Sequence, residues 1–293
     1  MTAPTTKVPE ARNIPVKPTV VKPPKVSIDT LFKKPDTTIE SKGTSIIIHA
    51  DPGVGKTSLV KTLLGWEYGK GYIHEPYCKK EEIFVIDVEA GEIVLAHDGK
   101  RVATIYRVEE GADSLTKFKD MIAYLHEMKH PFKFVFVDNM SELEKFHLMA
   151  LTTSKALSVP RQKEWGDTAY GLRKEIRDLR NLTYKGVNVI FNFWSMTVPV
   201  TDSEGHINSY IAPMVMRSTT MEYIGLVDQT AYMGIGKEGQ RFLQFESNAL
   251  IKCKRRDEGD GPPLLEKFEL PDLANIFRKL KGGKNVSKIQ CAK

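Results

Sequence analysis

The 293-residue sequence predicts an α/β fold: a mostly parallel sheet flanked by helices, with an antiparallel extension at its C-terminal end. Three observations carry that expectation. Short apolar, β-branched runs alternate with segments of helical period through the first two thirds of the chain. A glycine-rich turn joins the first of these strands to the first of these helices. From about residue 226 the pattern changes to short strands separated by turns, as antiparallel hairpins require.

Taken in order, residues 1–42 form a Pro/Lys-rich arm expected to be disordered. Seven prolines crowd residues 1–40, and such a segment buries too little apolar area to offset its ordering entropy. An apolar island, Val26 to Phe32, interrupts it and is expected to pack on its own domain in preference to docking on a neighbouring subunit. Ser45 to Ala50 is a buried strand, and Leu59, Val60, Leu63 and Leu64 start a helix. Tyr72 to Lys80 is expected to be a loop. Ile83 to Asp87 is the second core strand, and Ala103–Val108 a short strand beside it. Leu115 to Met128 has helical spacing. Phe134 to Asp138 is wholly apolar until its final acid. Ser141 to Ala150 is helical, Leu151 to Glu164 a polar connection, and Trp165 to Tyr184 an amphipathic helix ended by Gly186. Val187 to Trp194 is another core strand, followed by a polar loop from about Thr197 to Tyr223. Leu226–Met233, Arg241–Glu246 and Ala249–Lys254 read as strands joined by turns, and Ala274 to Leu280 as a closing helix. The folded domain thus spans 43–281, leaving 282–293 as a basic flexible tail.

Charge and cysteine content narrow the setting. The net charge of +6 sits in the ends: residues 1–42 hold eight Lys/Arg against four Asp/Glu, and residues 278–293 hold six against none. Basic tails of this kind either add salt-dependent attraction to nucleic acid or serve only to solubilise the chain. No apolar run approaches the roughly 20 residues of a membrane helix, and the N-terminus lacks the apolar core of a signal peptide. Three distant cysteines, Cys78, Cys253 and Cys291, suit a reducing compartment. The expected location is the cytoplasm, with no membrane partner.

The chemistry concentrates at Ala50-Asp51-Pro52-Gly53-Val54-Gly55-Lys56-Thr57-Ser58. A strand, a glycine loop and a helix in this order make a P-loop, whose inward N–H groups and helix N-terminus bind phosphate. Asp51 to Ser58 would cradle a nucleoside triphosphate, Lys56 would reach its β- and γ-phosphates, and Thr57 would offer a hydroxyl to Mg²⁺. The motif wants glycine where this chain has Ala50. Asp138, ending an apolar strand downstream, suits the Mg²⁺ side of such a site.

With these motifs in hand, the order of elements over residues 44–258 resembles the RecA-type ATPase core. More closely it is similar to phage nucleotide-binding proteins of the single-strand-annealing, RecA-like kind. The likeness rests on Lys56-Thr57, the Asp87-Val88-Glu89-Ala90-Gly91 segment, Asp138, the Val187–Phe193 strand, and the basic end Lys252 to Asp257. It implies ATP and Mg²⁺ as cofactors and Glu89 as the residue that polarises the attacking water, with Glu92 as local competitor. It implies basic residues acting on a neighbour's nucleotide. Lys252, Lys254, Arg255 and Arg256 compete for that role, and Lys254 and Arg256 are preferred as sharing a strand face. The family's polar sensor position is Trp194 here, so either Asn192 or Ser195 would take over or the coupling between ATP and DNA would be altered. The resemblance further implies a ring or filament of identical subunits and single-stranded DNA on the loops around Leu151–Glu164 (Lys155, Arg161, Lys163) and Thr197–Thr220 (Tyr210, Arg217). Phage or host recombination and replication proteins are implied partners. The rival expectations are a nucleotide-gated binding module with little hydrolysis and a small-molecule kinase.

Overall fold

Strand β1 (Ser45–Ala50) is buried along its whole length at the centre of the sheet. The computed structural model describes residues 42–201, 203–256 and 262–282. The expectations for the N-terminal arm, apart from Lys42, and for the basic tail beyond Gly282 lie outside those residues. After β1 come helix α1 (Leu59–Thr62), strands β2 (Trp66–Glu67), β3 (Gly71–Tyr72), β4 (Ile83–Asp87), β5 (Ala96–His97), β6 (Lys100–Arg101) and β7 (Thr104–Arg107). Helix α2 (Ser114–His126), β8 (Phe134–Asp138), α3 (Met140–Ser154) and α4 (Gln162–Asn181) follow. The chain continues through β9 (Asn188–Thr201), β10 (Ile207–Pro213), α5 (Thr220–Leu226), β11 (Gln229–Ile235), β12 (Arg241–Gln244), β13 (Phe268–Glu269) and α6 (Leu273–Leu280).

Six strands run parallel in the order β11-β1-β9-β8-β4-β7. Strands β12 and β13 extend the β11 edge in antiparallel fashion, and β10 pairs back on the far half of β9. The expected mostly parallel sheet with its antiparallel extension is therefore present. The parallel strands are apolar at nearly every position because both faces are covered. On one face Ile47, Val135 and Val137 pack with Phe118, Leu143 and Ile176 from α2, α3 and α4. On the other, Ile46, Ile48 and Phe136 pack with Leu59 and Phe277 from α1 and α6. Among the described residues no helix is long and apolar enough to cross a membrane.

Four expectations need correction. The polar loop at Thr197–Tyr223 is largely a hairpin: β9 runs on to Thr201 and pairs with β10, from Ser195↔Pro213 to Thr201↔Ile207. The β-branched run Thr197-Val198-Pro199-Val200-Thr201 suits an extended strand, and Gly205 at φ 86° helps turn it. The connection at Leu151–Glu164 shrinks to residues 155–161, because α3 and α4 extend into it from both sides. The strand placed at Leu226–Met233 begins only at Gln229, after helix α5. Ala249–Lys254 is no regular strand; it makes only the isolated bridges Ile211↔Ile251 and Thr230↔Lys254. Asn248 Oδ1 accepts from the backbone N–H of Leu250 and Ile251, and Ser247 Oγ bonds both the N–H and C=O of Cys253, so local turns hold that segment. Phe268–Glu269 takes the place beside β12 instead.

Helix α6 closes the face that carries the glycine loop. Leu273 N donates to Thr62 Oγ1 in α1 at 3.0 Å, and Lys279 Nζ donates to both oxygens of Glu269 at 2.8 and 2.7 Å. Both side chains are buried, so removing Lys279 leaves Glu269 with a backbone N–H, that of Glu266, and no opposite charge. The Lys279→Met variant should lose about 3–5 kcal/mol in urea unfolding, and adding Glu269→Leu should restore most of it.

Candidate functional site

The glycine loop and the acids expected beside it lie at the carboxyl ends of the parallel strands, where open α/β sheets bind ligands. A cleft of about 950 Å³ opens there, lined by loop residues Pro52, Gly53, Gly55, Lys56, Thr57 and Ser58 together with Glu89 and Trp194. Asp51 and Val54, also expected in the site, belong to the loop without lining the cleft wall. Gly53 and Gly55 have φ values of 80° and 112°, which only glycine adopts freely. Ala50 ends β1 fully buried and is not among the residues of positive φ, so alanine fits there without strain. Lys56 is buried, and its Nζ donates to the carbonyls of Ala50 and Asp51 at 3.0 and 3.1 Å. Burial holds its pKa below the usual lysine range, against the pull of Glu89, Asp138 and Asp51.

Asp138 joins four strands. Its Oδ2 accepts from Thr57 Oγ1 at 2.5 Å, and its Oδ1 accepts from Asn192 Nδ2 at 3.1 Å. Its carbonyl accepts from Val88 N at 2.7 Å, and burial raises the pKa of its carboxyl. Asp87, one strand over, accepts from Gly91 N with Oδ1, while its buried Oδ2 has no partner among the described residues. Hard oxygen donors this close suit a small divalent cation, and the fit to Mg²⁺ is good: Thr57 and Asp138 would hold it.

Glu89 follows β4 and faces the same cleft. Asn139 Nδ2 donates to its Oε1, and Asn139 Oδ1 accepts from Glu142 N, capping α3. Burial, with repulsion from Asp138, raises the Glu89 pKa to about 7 despite Lys56. Glu92 is the one acid of this segment whose side chain is not described.

The two candidates for the sensor role part company. Asn192 binds Asp138, whereas Ser195 Oγ pairs with His49 Nδ1 at 3.0 Å. His49 is fully buried, its Nε2 bonds the Lys252 carbonyl, and burial lowers its pKa to about 4. Trp194 itself sits beside Ala50, lines the cleft and carries Lys145 Nζ 4.2 Å over its ring.

Lys254 and Arg256 do not reach this cleft. Lys254 Nζ donates to the carbonyls of Gly225 and Val227, and Arg256 Nη1 pairs with Asp228 at 2.8 Å. Asp228 in turn holds Ser45 at the start of β1. That places both basic residues at the amino end of the sheet, roughly 16 Å of strand from Ala50.

Sequence reasoning passed over four residues. Asn139 had a readable signal, an Asn three residues before Glu142 at a helix start. Trp66, Tyr68 and Arg241 had none. Tyr68 Oη donates to Gly55 O at 2.6 Å, Arg241 Nε donates to Val54 O at 2.7 Å, and the guanidinium lies 5.0 Å over the Tyr68 ring.

The AAA domain family model matches residues 42–256. No curated protein matches the chain.

The raised Glu89 pKa has a consequence for stability. In the unfolded chain the group titrates near 4.5 and in the folded chain near 7, so folding favours its protonated form. Wild type therefore loses this contribution as pH rises from about 4.5 to 7. Glu89→Gln should raise the melting temperature relative to wild type at pH 8 and leave it nearly unchanged at pH 4. Thermal scans at the two pH values check this.

Proposed function

The chain belongs to the AAA domain family of P-loop ATPases, and from that premise we propose that it is a phage RecA-like protein that hydrolyses ATP and acts on single-stranded DNA in recombination or replication. The observation that carries the reading is the convergence of Glu89, Lys56 and the Thr57–Asp138 pair on one cleft around a glycine loop. In this reading water attacks the γ-phosphorus in line, the bond to the β,γ-bridging oxygen breaks, and ADP and phosphate leave. Glu89 accepts a hydrogen bond from the attacking water and orients it. The loop N–H groups and Lys56 meet the charge that develops on the departing diphosphate. Bound Mg²⁺ would add Lewis-acid neutralisation of the phosphate oxygens from its place at Thr57 and Asp138. Asn139 governs how far Glu89 is free to do this, because it holds the same carboxylate.

Single-stranded DNA would be met on the β9–β10 hairpin with the residues just after it, and on the 155–161 connection with the start of α4. Tyr210 carries Lys252 Nζ 4.8 Å over its ring, and Arg217 and Lys163 are exposed, a mixture of cations and an aromatic that suits sequence-tolerant binding. Lys155 supports this less, since it is tied to Glu164 and Asp167. The proposed assembly is a ring or filament of identical subunits. In it Lys254 or Arg256 would exchange its own-chain partners for a neighbour's nucleotide. A second reading, a nucleotide-gated binder with little turnover, is favoured by the hold of Asn139 on Glu89.

ATP hydrolysis by wild type and Glu89→Ala, with and without single-stranded DNA, decides between them. The expected outcome is turnover raised by DNA and lowered about 10²–10⁴-fold by the substitution, with ATP binding retained. Binding without turnover in both proteins would establish the binder instead. Wild-type kcat/KM should also climb with pH through about 7, where Glu89 in the free protein loses its proton.

A further inference from the structure

Two walls bound the phosphate loop. The acids Glu89 and Asp138 come from β4 and β8, which lie beyond β9 on one side of β1; Arg241 comes from β12, beyond β11 on the other. A triphosphate whose γ end meets Glu89 and Thr57 must therefore run its remaining length toward Arg241. Arg241 lines the cleft at that end. Its Nε is committed to Val54 O, and the Tyr68 ring backs its guanidinium. Among the described residues Nη1 and Nη2 make no hydrogen bond, although the group is permanently charged. Gly55 keeps the approach open: a Cβ there would stand 3.1 Å from Tyr68 Cε1 and 3.5 Å from Arg241 Nε.

We propose that Arg241 is a nucleotide ligand supplied in cis by the antiparallel extension, with Nη1 and Nη2 donating to the α- and β-phosphate oxygens shared by ATP and ADP. This rests on the nucleotide-site reading of the cleft. A guanidinium fork matches paired phosphate oxygens, and anchoring by Nε and Tyr68 fixes its plane before the ligand arrives. Tyr68 is then a positioning residue, acting on Gly55 and on the guanidinium rather than on the ligand. The extension, which adds nothing to the acids, gains a role in closing the site from the opposite side.

The test measures dissociation constants of ATP and ADP for wild type, Lys56→Ala, Arg241→Ala, Arg241→Lys and Tyr68→Phe. Arg241→Ala should weaken ATP and ADP alike, by about 10–100-fold, the range of a charge-assisted hydrogen bond. Tyr68→Phe keeps the ring beneath the guanidinium and should cost no more than about threefold. Equal losses from Arg241→Ala and Tyr68→Phe would mean that both merely pin the loop, overturning the proposal. A loss confined to ATP would put Arg241 at the γ-phosphate and overturn it too. Should Arg241→Ala fail to fold, Arg241→Lys decides. A lysine cannot hold Val54 O and fork onto two phosphate oxygens together, so about a tenfold loss is expected, and less than threefold overturns the proposal. If Lys56→Ala leaves ATP binding intact, the nucleotide-site reading itself falls, whatever Arg241 does.

Discussion

Asp138 is a carboxylate with almost no solvent at the end of a strand that is otherwise apolar. An uncompensated charge in that position costs several kcal/mol, so the surrounding structure has to answer it. Thr57 answers from the phosphate loop after β1 and Asn192 from β9, while Val88 N after β4 binds the Asp138 backbone carbonyl. One buried acid thus ties the ends of four parallel strands together, and the cleft is where they meet. The pieces of the site are adjacent because the parallel sheet aligns the carboxyl ends of its strands on one edge.

The next residue extends that knot into a helix. Asn139 caps α3 with its oxygen and holds Glu89 with its nitrogen. Farther along α3, Ser141 Oγ donates to Met214 O and accepts from Trp194 N, and the Glu144 carboxylate accepts from Met216 N with both oxygens. Burial raises the Glu144 pKa to about 7, the cost of keeping that anchor inside. Helix α3 therefore touches the water-orienting candidate at one end and both roots of the β9–β10 hairpin along its side. A shift of the hairpin cannot leave α3, and hence Asn139, unmoved, because these contacts are short hydrogen bonds in a packed layer.

The antiparallel extension supports the site from the other flank. Helix α6, fastened to β13 by the buried Lys279–Glu269 pair, also receives α1 through Thr62. Helix α6 thus holds α1, the helix that follows the phosphate loop, while Tyr68 and Arg241 bond the loop carbonyls of Gly55 and Val54.

Much of this was legible in the amino-acid order. The glycine loop, the apolar strands ending in Asp87 and Asp138, and the pairing of Thr104–Arg107 with β4 all follow from short-range signals: period, turn residues and a motif of nine positions. Tertiary structure alone decided the rest. The bond from Arg241 to Val54 spans 187 residues and the hold of Asn139 on Glu89 spans 50, and no local pattern marks either. The same holds for the own-chain partners of Lys254 and Arg256: the sequence does not show that Lys254 binds the carbonyls of Gly225 and Val227, or that Arg256 pairs with Asp228. Backbone periodicity reports which face of an element is buried. Only the packing of the whole sheet sets which side chain arrives opposite another.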